Sequence, residues 1–138
     1  MNIFADRRIS RIIRLKKATL SAEEKLEIVR GAAEDKKAMD IEVIDLRGRT
    51  LIADYFLLCT GGSRVHIHGI VDGVAAAMRD RGMRCARREG YTQARWVLLD
   101  YGDVVVHIFA QDEREFYDLE SLWRGTMSRL TGKEAPQV

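Results

Sequence analysis

The feature that most constrains this chain is an apolar run, Tyr55-Phe56-Leu57-Leu58-Cys59, that stops on Thr60-Gly61-Gly62-Ser63 and gives way to helical periodicity. The run is bounded by turn residues and reads as a buried strand over Tyr55 to Thr60. Ile67, Ile70, Val71, Val74, Ala75 and Met78 then repeat on one face of a helix that ends near Gly82. A strand that hands over to an amphipathic helix across a glycine turn commits the chain to an α/β arrangement. Its 138 residues, 46% of them hydrophobic, suffice for one domain with a packed core.

The flanking segments extend that unit. Ser21-Ala22-Glu23-Glu24 has the form of a capping box, and Leu26, Val29 and Ala33 follow on one face, which predicts a helix from about Ala22 to Lys37. Ile41 to Leu46 alternates like a strand, and Arg47-Gly48-Arg49 reads as a turn. Met83 to Arg87 reads as a short strand and Glu89 to Arg95 as a polar loop. Trp96 to Asp100 and Val104 to Phe109 form a hairpin through Tyr101-Gly102-Asp103, where Gly102 is free to take a positive φ. Phe116, Leu119, Leu122 and Trp123 suggest a short C-terminal helix. The expected fold is a two-layer α/β domain with a mixed β-sheet flanked by helices. No internal repeat or low-complexity tract interrupts it.

Charge and cysteine content narrow the function classes. The net charge of +2 does not indicate a fold built to coat nucleic acid. The two cysteines, Cys59 and Cys85, form no CxxC pair, so a reducing, cytoplasmic setting is expected. No apolar run reaches membrane-spanning length, and the N-terminus lacks the apolar stretch of a secretory signal. Residues Met1 to Thr19 are unevenly basic, with Arg7, Arg8, Arg11, Arg14, Lys16 and Lys17 against Asp6. Such an arm reads as a disordered or loosely helical extension, or as a basic amphipathic segment that touches RNA phosphates or a membrane or serves as an organelle transit peptide.

Gly61-Gly62-Ser63 between strand and helix raises an enzymatic reading. Nucleotidyltransferases pair such a turn, whose N–H groups hold phosphate, with closely spaced carboxylates that hold magnesium. The acid pair is missing here. Asp72 falls inside the helix, and Asp100 and Asp103 flank a hairpin turn, where aspartate is common for local reasons. A metal reading is no stronger. His66 and His68, at i and i+2, point to different faces of a helix, and His107 is remote in sequence. Ser63 is placed to cap the second helix, and Cys59 within an apolar strand reads as core. No cofactor or metal is implied.

Trp96 to Phe109 is the most informative stretch. Trp96, Leu98 and Asp100 share one strand face by the period of two. If that face looks outward, it presents an apolar patch with an aromatic anchor and an acidic rim, to which Tyr101 and Asp103 at the tip add. The same stretch also reads as a buried central hairpin.

Ala-Asp-Tyr-Phe-Leu-Leu-Cys-Thr-Gly (Ala53 to Gly61), Trp-Val-Leu-Leu-Asp-Tyr-Gly-Asp-Val-Val-Val-His-Ile-Phe (Trp96 to Phe109) and Glu-Arg-Glu-Phe-Tyr-Asp-Leu-Glu-Ser-Leu-Trp (Glu113 to Trp123) occur in that order. Together they strongly resemble the ribosomal silencing factor, or Iojap, family over about Ser21 to Arg124. The resemblance implies a nucleotidyltransferase-like fold without the catalytic acids. It implies a non-enzymatic regulator that binds the large ribosomal subunit through ribosomal protein L-fourteen, sterically blocks joining of the small subunit and represses translation. On this chain the implied partner-binding residues are Trp96, Leu98, Asp100, Tyr101 and Asp103, with His107 and Tyr117 behind them. Arg114, Glu115 and Trp123 are expected to tie the last helix to the sheet. The domain then spans 21–124, between a basic extension over 1–20 and a tail over 125–138. Exposed apolar strand surface makes a homodimer of the free chain plausible, and the basic arm is a second route to ribosomal RNA. The competing reading is a nucleotide-binding or nucleotidyl-transferring enzyme that uses Gly61-Gly62-Ser63. Ser63-Arg64-Val65-His66 places its arginine earlier than the family pattern does, which leaves Arg64 without an assigned role.

Overall fold

The computed structural model describes residues 20–123. The basic arm from Met1 to Thr19 and the C-terminal tail lie outside the described residues.

Helix α1 (Ala22–Asp35) starts where the sequence requires. The Ser21 hydroxyl accepts from the Glu24 amide at 3.1 Å, and the Glu24 carboxylate accepts from the Ser21 amide at 2.9 Å. That reciprocal pair satisfies two orphan donors of the first turn and holds the Glu24 carboxyl below its usual range, with the backbone bond from Ser21 as the largest cause. Strand β1 (Met39–Asp45) runs antiparallel to β2 (Tyr55–Gly61), with a register shift between Met39 and Glu42. Helix α2 (Arg64–Asp80) leads to β3 (Arg87–Glu89), β4 (Trp96–Asp100), β5 (Val104–Ala110) and the short α3 (Gln111–Tyr117). Helical turns resume over residues 119–123.

The five strands form one mixed sheet in the order β1-β2-β5-β4-β3. Among the described strands only β2 and β5 are parallel, and they pair in register from Tyr55–Val104 to Gly61–Ala110. Every residue of β2 is buried, as its unbroken apolar run demands. Alternation splits the core. Leu57, Cys59, Val97, Leu99, Val106 and Ile108 pack under α1 and α2 with Val29, Ile70 and Val74. Phe56, Leu58, Val105 and Phe109 occupy the opposite face with Ile44 and Leu46, where Leu119 and Trp123 cover them in part. The expected α/β domain with a mixed sheet flanked by helices is the one found.

One strand is displaced from its expected place. The third strand is Arg87–Glu89 rather than Met83 to Arg87, and all its residues are exposed. No apolar pattern marks it. It forms because β4 offers an edge: Ala86 N–H donates to the Asp100 carbonyl at 2.7 Å, and Arg87 then pairs opposite Asp100. A short, charged edge strand also discourages pairing with another chain. Gly102 in the hairpin turn has the expected positive φ, at 86°.

A buried lysine ties the hairpin to α1. The Lys25 ammonium donates to the Tyr101 carbonyl at 2.9 Å and pairs with the Asp103 carboxylate at 2.7 Å. Replacing Lys25 with Met keeps the stem but strands both acceptors. Lys25→Met is therefore expected to lower unfolding stability by about 2 kcal/mol in urea titrations, with the far-ultraviolet spectrum unchanged.

Candidate functional site

The face opposite α1 and α2 carries a continuous group of aromatic rings. Cross-strand register places Trp96 beside Phe109 and Leu98 beside His107. The Trp96 ring stacks on Phe109 at 5.0 Å and meets Tyr117 of α3 at 4.8 Å. Its indole N–H donates to His107 Nδ1 at 3.1 Å. Tyr117 in turn meets Phe116 edge to face at 5.0 Å. Trp96 and Leu98 are half-buried, whereas Tyr117 is 49% and Phe116 81% exposed. The result is an apolar surface held from beneath by ring packing, with its outermost rings in solvent.

The remaining expected site residues divide. Asp100 shares the face of Trp96, and one of its carboxylate oxygens accepts from the Gly102 amide at 2.8 Å, so it shapes the turn as well as the rim. Asp103 is engaged by Lys25 on the other side of the hairpin. Tyr101 is 3% exposed and packs with the core beneath α1 and α2, where burial pushes its phenol up to about 12. The structure therefore brings Trp96, Leu98, Asp100, His107 and Tyr117 to one face and leaves Tyr101 and Asp103 off it. His107 lies below that surface at 4% exposure and supports Trp96 from behind. Its Nδ1 accepts from Trp96, so the neutral ring carries its proton on Nε2, which has no hydrogen-bond partner among the described residues.

Arg114 and Trp123 anchor the C-terminal helical segment as expected. The Arg114 guanidinium is buried and donates to the Asp40 carbonyl at 2.6 Å, the Thr60 hydroxyl at 3.0 Å and the Glu120 carboxylate at 2.9 Å. Trp123 meets Phe56 edge to face at 5.4 Å. Glu115 differs: it is exposed and accepts from Gln111 one turn earlier on α3. Phe116 is the residue that sequence reasoning missed. Its sequence reading served only to mark a C-terminal helix, and its exposure is apparent only from its place on α3.

Gly61-Gly62-Ser63 sits at the C-terminal ends of the parallel strands, where α/β folds commonly bind ligands. A cleft of about 380 Å3 opens there, lined by Ser63, Arg64, Arg95 and Asp112 among others. The turn's own polar groups are nevertheless spent internally. Ser63 caps α2 by accepting from the His66 amide at 3.0 Å. The Gly62 amide donates to His66 Nδ1 at 2.9 Å, and His66 Nε2, protonated in that tautomer, donates to the Lys36 carbonyl at 2.8 Å. Gly61 is required by packing, because a Cβ there would lie 2.5 Å from Ile67 Cγ1. Arg64 donates to the Thr92 carbonyl and so fastens α2 to the loop before β4.

Asp100 and Asp103 lie at the opposite end of β5, about 20 Å away at a strand rise of roughly 3.3 Å per residue. Asp72 accepts from the Tyr91 hydroxyl at 3.0 Å. His68 turns away from His66 and stacks on Tyr91 at 4.2 Å. Among the described residues no cluster of three or more His, Cys, Asp or Glu side chains is placed to hold a metal ion, and no helix is long and apolar enough to cross a membrane.

Comparison with known proteins finds relatives of this chain. The family model described as ribosomal silencing factor during starvation matches residues 19–138. The ribosomal silencing factor of Halalkalibacterium halodurans is 44% identical over 104 residues, covering 75% of this chain and 89% of that protein. That of Bacillus subtilis is 45% identical over 98 residues, covering 71% and 83%. The chloroplastic Iojap protein of Zea mays is 38% identical over 95 residues, which are 67% of this chain and 40% of that one. Among solved structures, a Chromobacterium violaceum protein superposes with a TM-score of 0.73 at 29% identity, covering 86% of this chain and 92% of that one. A Bacillus halodurans protein superposes with a TM-score of 0.68 at 42% identity, covering 73% and 94%.

Two outcomes are expected from the site's histidines. Burial pushes His107 from 6.5 down to about 4. At pH values above 6.5 the ring is neutral folded or unfolded. As pH falls toward 4 only the unfolded chain takes up the proton, so stability declines by roughly 3 kcal/mol and then levels. Urea titrations across that window should show this slope in the parent, and a His107→Leu variant should lose that share of it. His66→Ala removes the bridge between Gly62 and Lys36 and is expected to cost about 1–2 kcal/mol by the same measurement.

Proposed function

The chain belongs to the ribosomal silencing factor family, and on that premise we propose that it represses translation by occupying the large ribosomal subunit. In this reading it binds ribosomal protein L-fourteen on the face that meets the small subunit and sterically blocks joining. The observation that carries the reading is the apolar surface of Trp96, Leu98, Phe116 and Tyr117, whose outer rings are exposed while its inner ones are locked by packing. Rigid aromatic rings are the commonest anchors of protein interfaces, because they bury area at little entropic cost. Asp100 on the rim offers charge complementarity to a basic ribosomal protein. Tyr101 and Asp103 act indirectly, by holding the hairpin against α1 through Lys25. No bond is made or broken: the effect is competition for a surface. A free chain with this surface uncovered can pair with a second copy, and the arm before Ser21 can add an RNA contact.

Sedimentation with isolated large subunits through a sucrose gradient tests the proposal. Phe116 and Tyr117 are exposed, so a Phe116→Ala, Tyr117→Ala variant should fold as the parent does. The parent is expected to co-migrate with the subunit. Truncating an anchor costs about 2 kcal/mol, so the variant should bind at least roughly 30-fold more weakly and stay near the top of the gradient. Equal co-migration of both would move the contact elsewhere, and failure of the parent at moderate salt would overturn the reading.

A further inference from the structure

On the helix side of the sheet, between the end of α2 and β3, lies an open cleft of about 440 Å3. Its floor is apolar and includes Met83, Leu99 and Tyr101, and its rim carries Arg79, Arg84 and Arg88. The segment from Arg79 to Arg88 holds five arginines against one acid, Asp80. Arg87 is paired with Glu89 at 3.2 Å. Among the described residues, no carboxylate lies within ion-pair distance of the three arginines on the rim.

One of them is already positioned. The Arg88 guanidinium lies over the Tyr91 ring at 4.4 Å from its centre. Tyr91 is itself fixed, stacked on His68 at 4.2 Å and hydrogen-bonded to Asp72 at 3.0 Å. A guanidinium held over a ring is already localised and loses less entropy when it takes an anion.

We propose that this arginine-rimmed cleft is a second contact surface, and that its partner is the sugar–phosphate backbone of RNA. Three guanidiniums with no carboxylate partner among the described residues, set along an open cleft, suit a chain of regularly spaced phosphates, each of which accepts from the planar fork. A protein partner fits less well, because among the described residues none of the large exposed apolar side chains lines this cleft to serve as an anchor. The cleft lies on the opposite side of the sheet from the Trp96 surface, since Leu99 faces α1 and α2 while Leu98 faces away. The two contacts can therefore be made at once, one to protein and one to RNA.

The test uses the full chain and a short fluorescein-labelled RNA hairpin, with binding read by anisotropy over a range of salt. Arg79→Gln/Arg84→Gln/Arg88→Gln is compared with a control that loses the same charge elsewhere, Arg30→Gln/Lys37→Gln/Arg49→Gln. The cleft variant is expected to bind at least about tenfold more weakly near ~0.1 M salt. Its dependence of log affinity on log salt should be shallower by about 1 for each arginine removed, while the control keeps the parent's slope. Circular dichroism verifies that both variants fold. Equal loss in both variants would reduce the effect to net charge and overturn the proposal, as would a parent that does not bind the hairpin. A parallel titration with phosphatidylserine vesicles addresses the competing partner: arginine-dependent vesicle binding with unaltered RNA binding would assign the cleft to a membrane surface instead. None of these readouts depends on the Phe116 and Tyr117 contact.

Discussion

The parallel pairing of β2 with β5 is the constraint on which the rest of the structure depends. Seven consecutive pairs from Tyr55–Val104 to Gly61–Ala110 lie at the centre of the sheet and are covered on both faces. Parallel strands need a crossover, and α2 with the β3–β4 excursion supplies it. Because side chains alternate, this pair decides which residues meet α1 and α2 and which meet the aromatic surface. It also sets the two ends of the sheet apart, with the glycine turn at one and the acidic hairpin tip at the other. The surface proposed for docking is thus a consequence of register.

The same pairing accounts for the enzyme-like appearance of Thr60-Gly61-Gly62-Ser63. A glycine pair followed by serine can cradle phosphate, but here each element has an internal task. Gly61 admits Ile67, the Gly62 amide is taken by His66, and the Ser63 hydroxyl caps α2. His66 adds the Lys36 carbonyl and so joins the end of α1 to the start of α2. The motif is explained by the geometry of a tight strand-to-helix turn.

Much of this was legible in the sequence where local chemistry decides the outcome. The capping box at Ser21, the serine cap at Ser63, the β4–β5 hairpin and the shared face of Trp96, Leu98 and Asp100 all follow from patterns of a few residues. Tyr101 was misplaced, because its position at the hairpin tip added it to the outward face. The period of two that unites Trp96 with Leu98 puts Tyr101 with Val97 and Leu99, and the Tyr101 amide continues the ladder to the Val104 carbonyl at 2.9 Å. Carried one residue past the strand end, that alternation puts Tyr101 on the buried face. β3 was not legible, since an edge of Arg87-Arg88-Glu89 exists only because β4 is there to pair with it. Nor was the burial of Arg114, whose partners Asp40, Thr60 and Glu120 come from three separate segments. Long-range partners of a charged side chain leave no periodic trace.

The most direct measurement is of subunit joining itself, followed by light scattering after small subunits are mixed with large subunits preincubated with the protein. Steric exclusion by the aromatic surface requires that the parent chain lower the scattering amplitude in proportion to its occupancy of large subunits. The Phe116→Ala, Tyr117→Ala variant should leave the amplitude near that of untreated subunits. An undiminished amplitude with large subunits fully occupied by the parent chain would contradict exclusion as the mechanism.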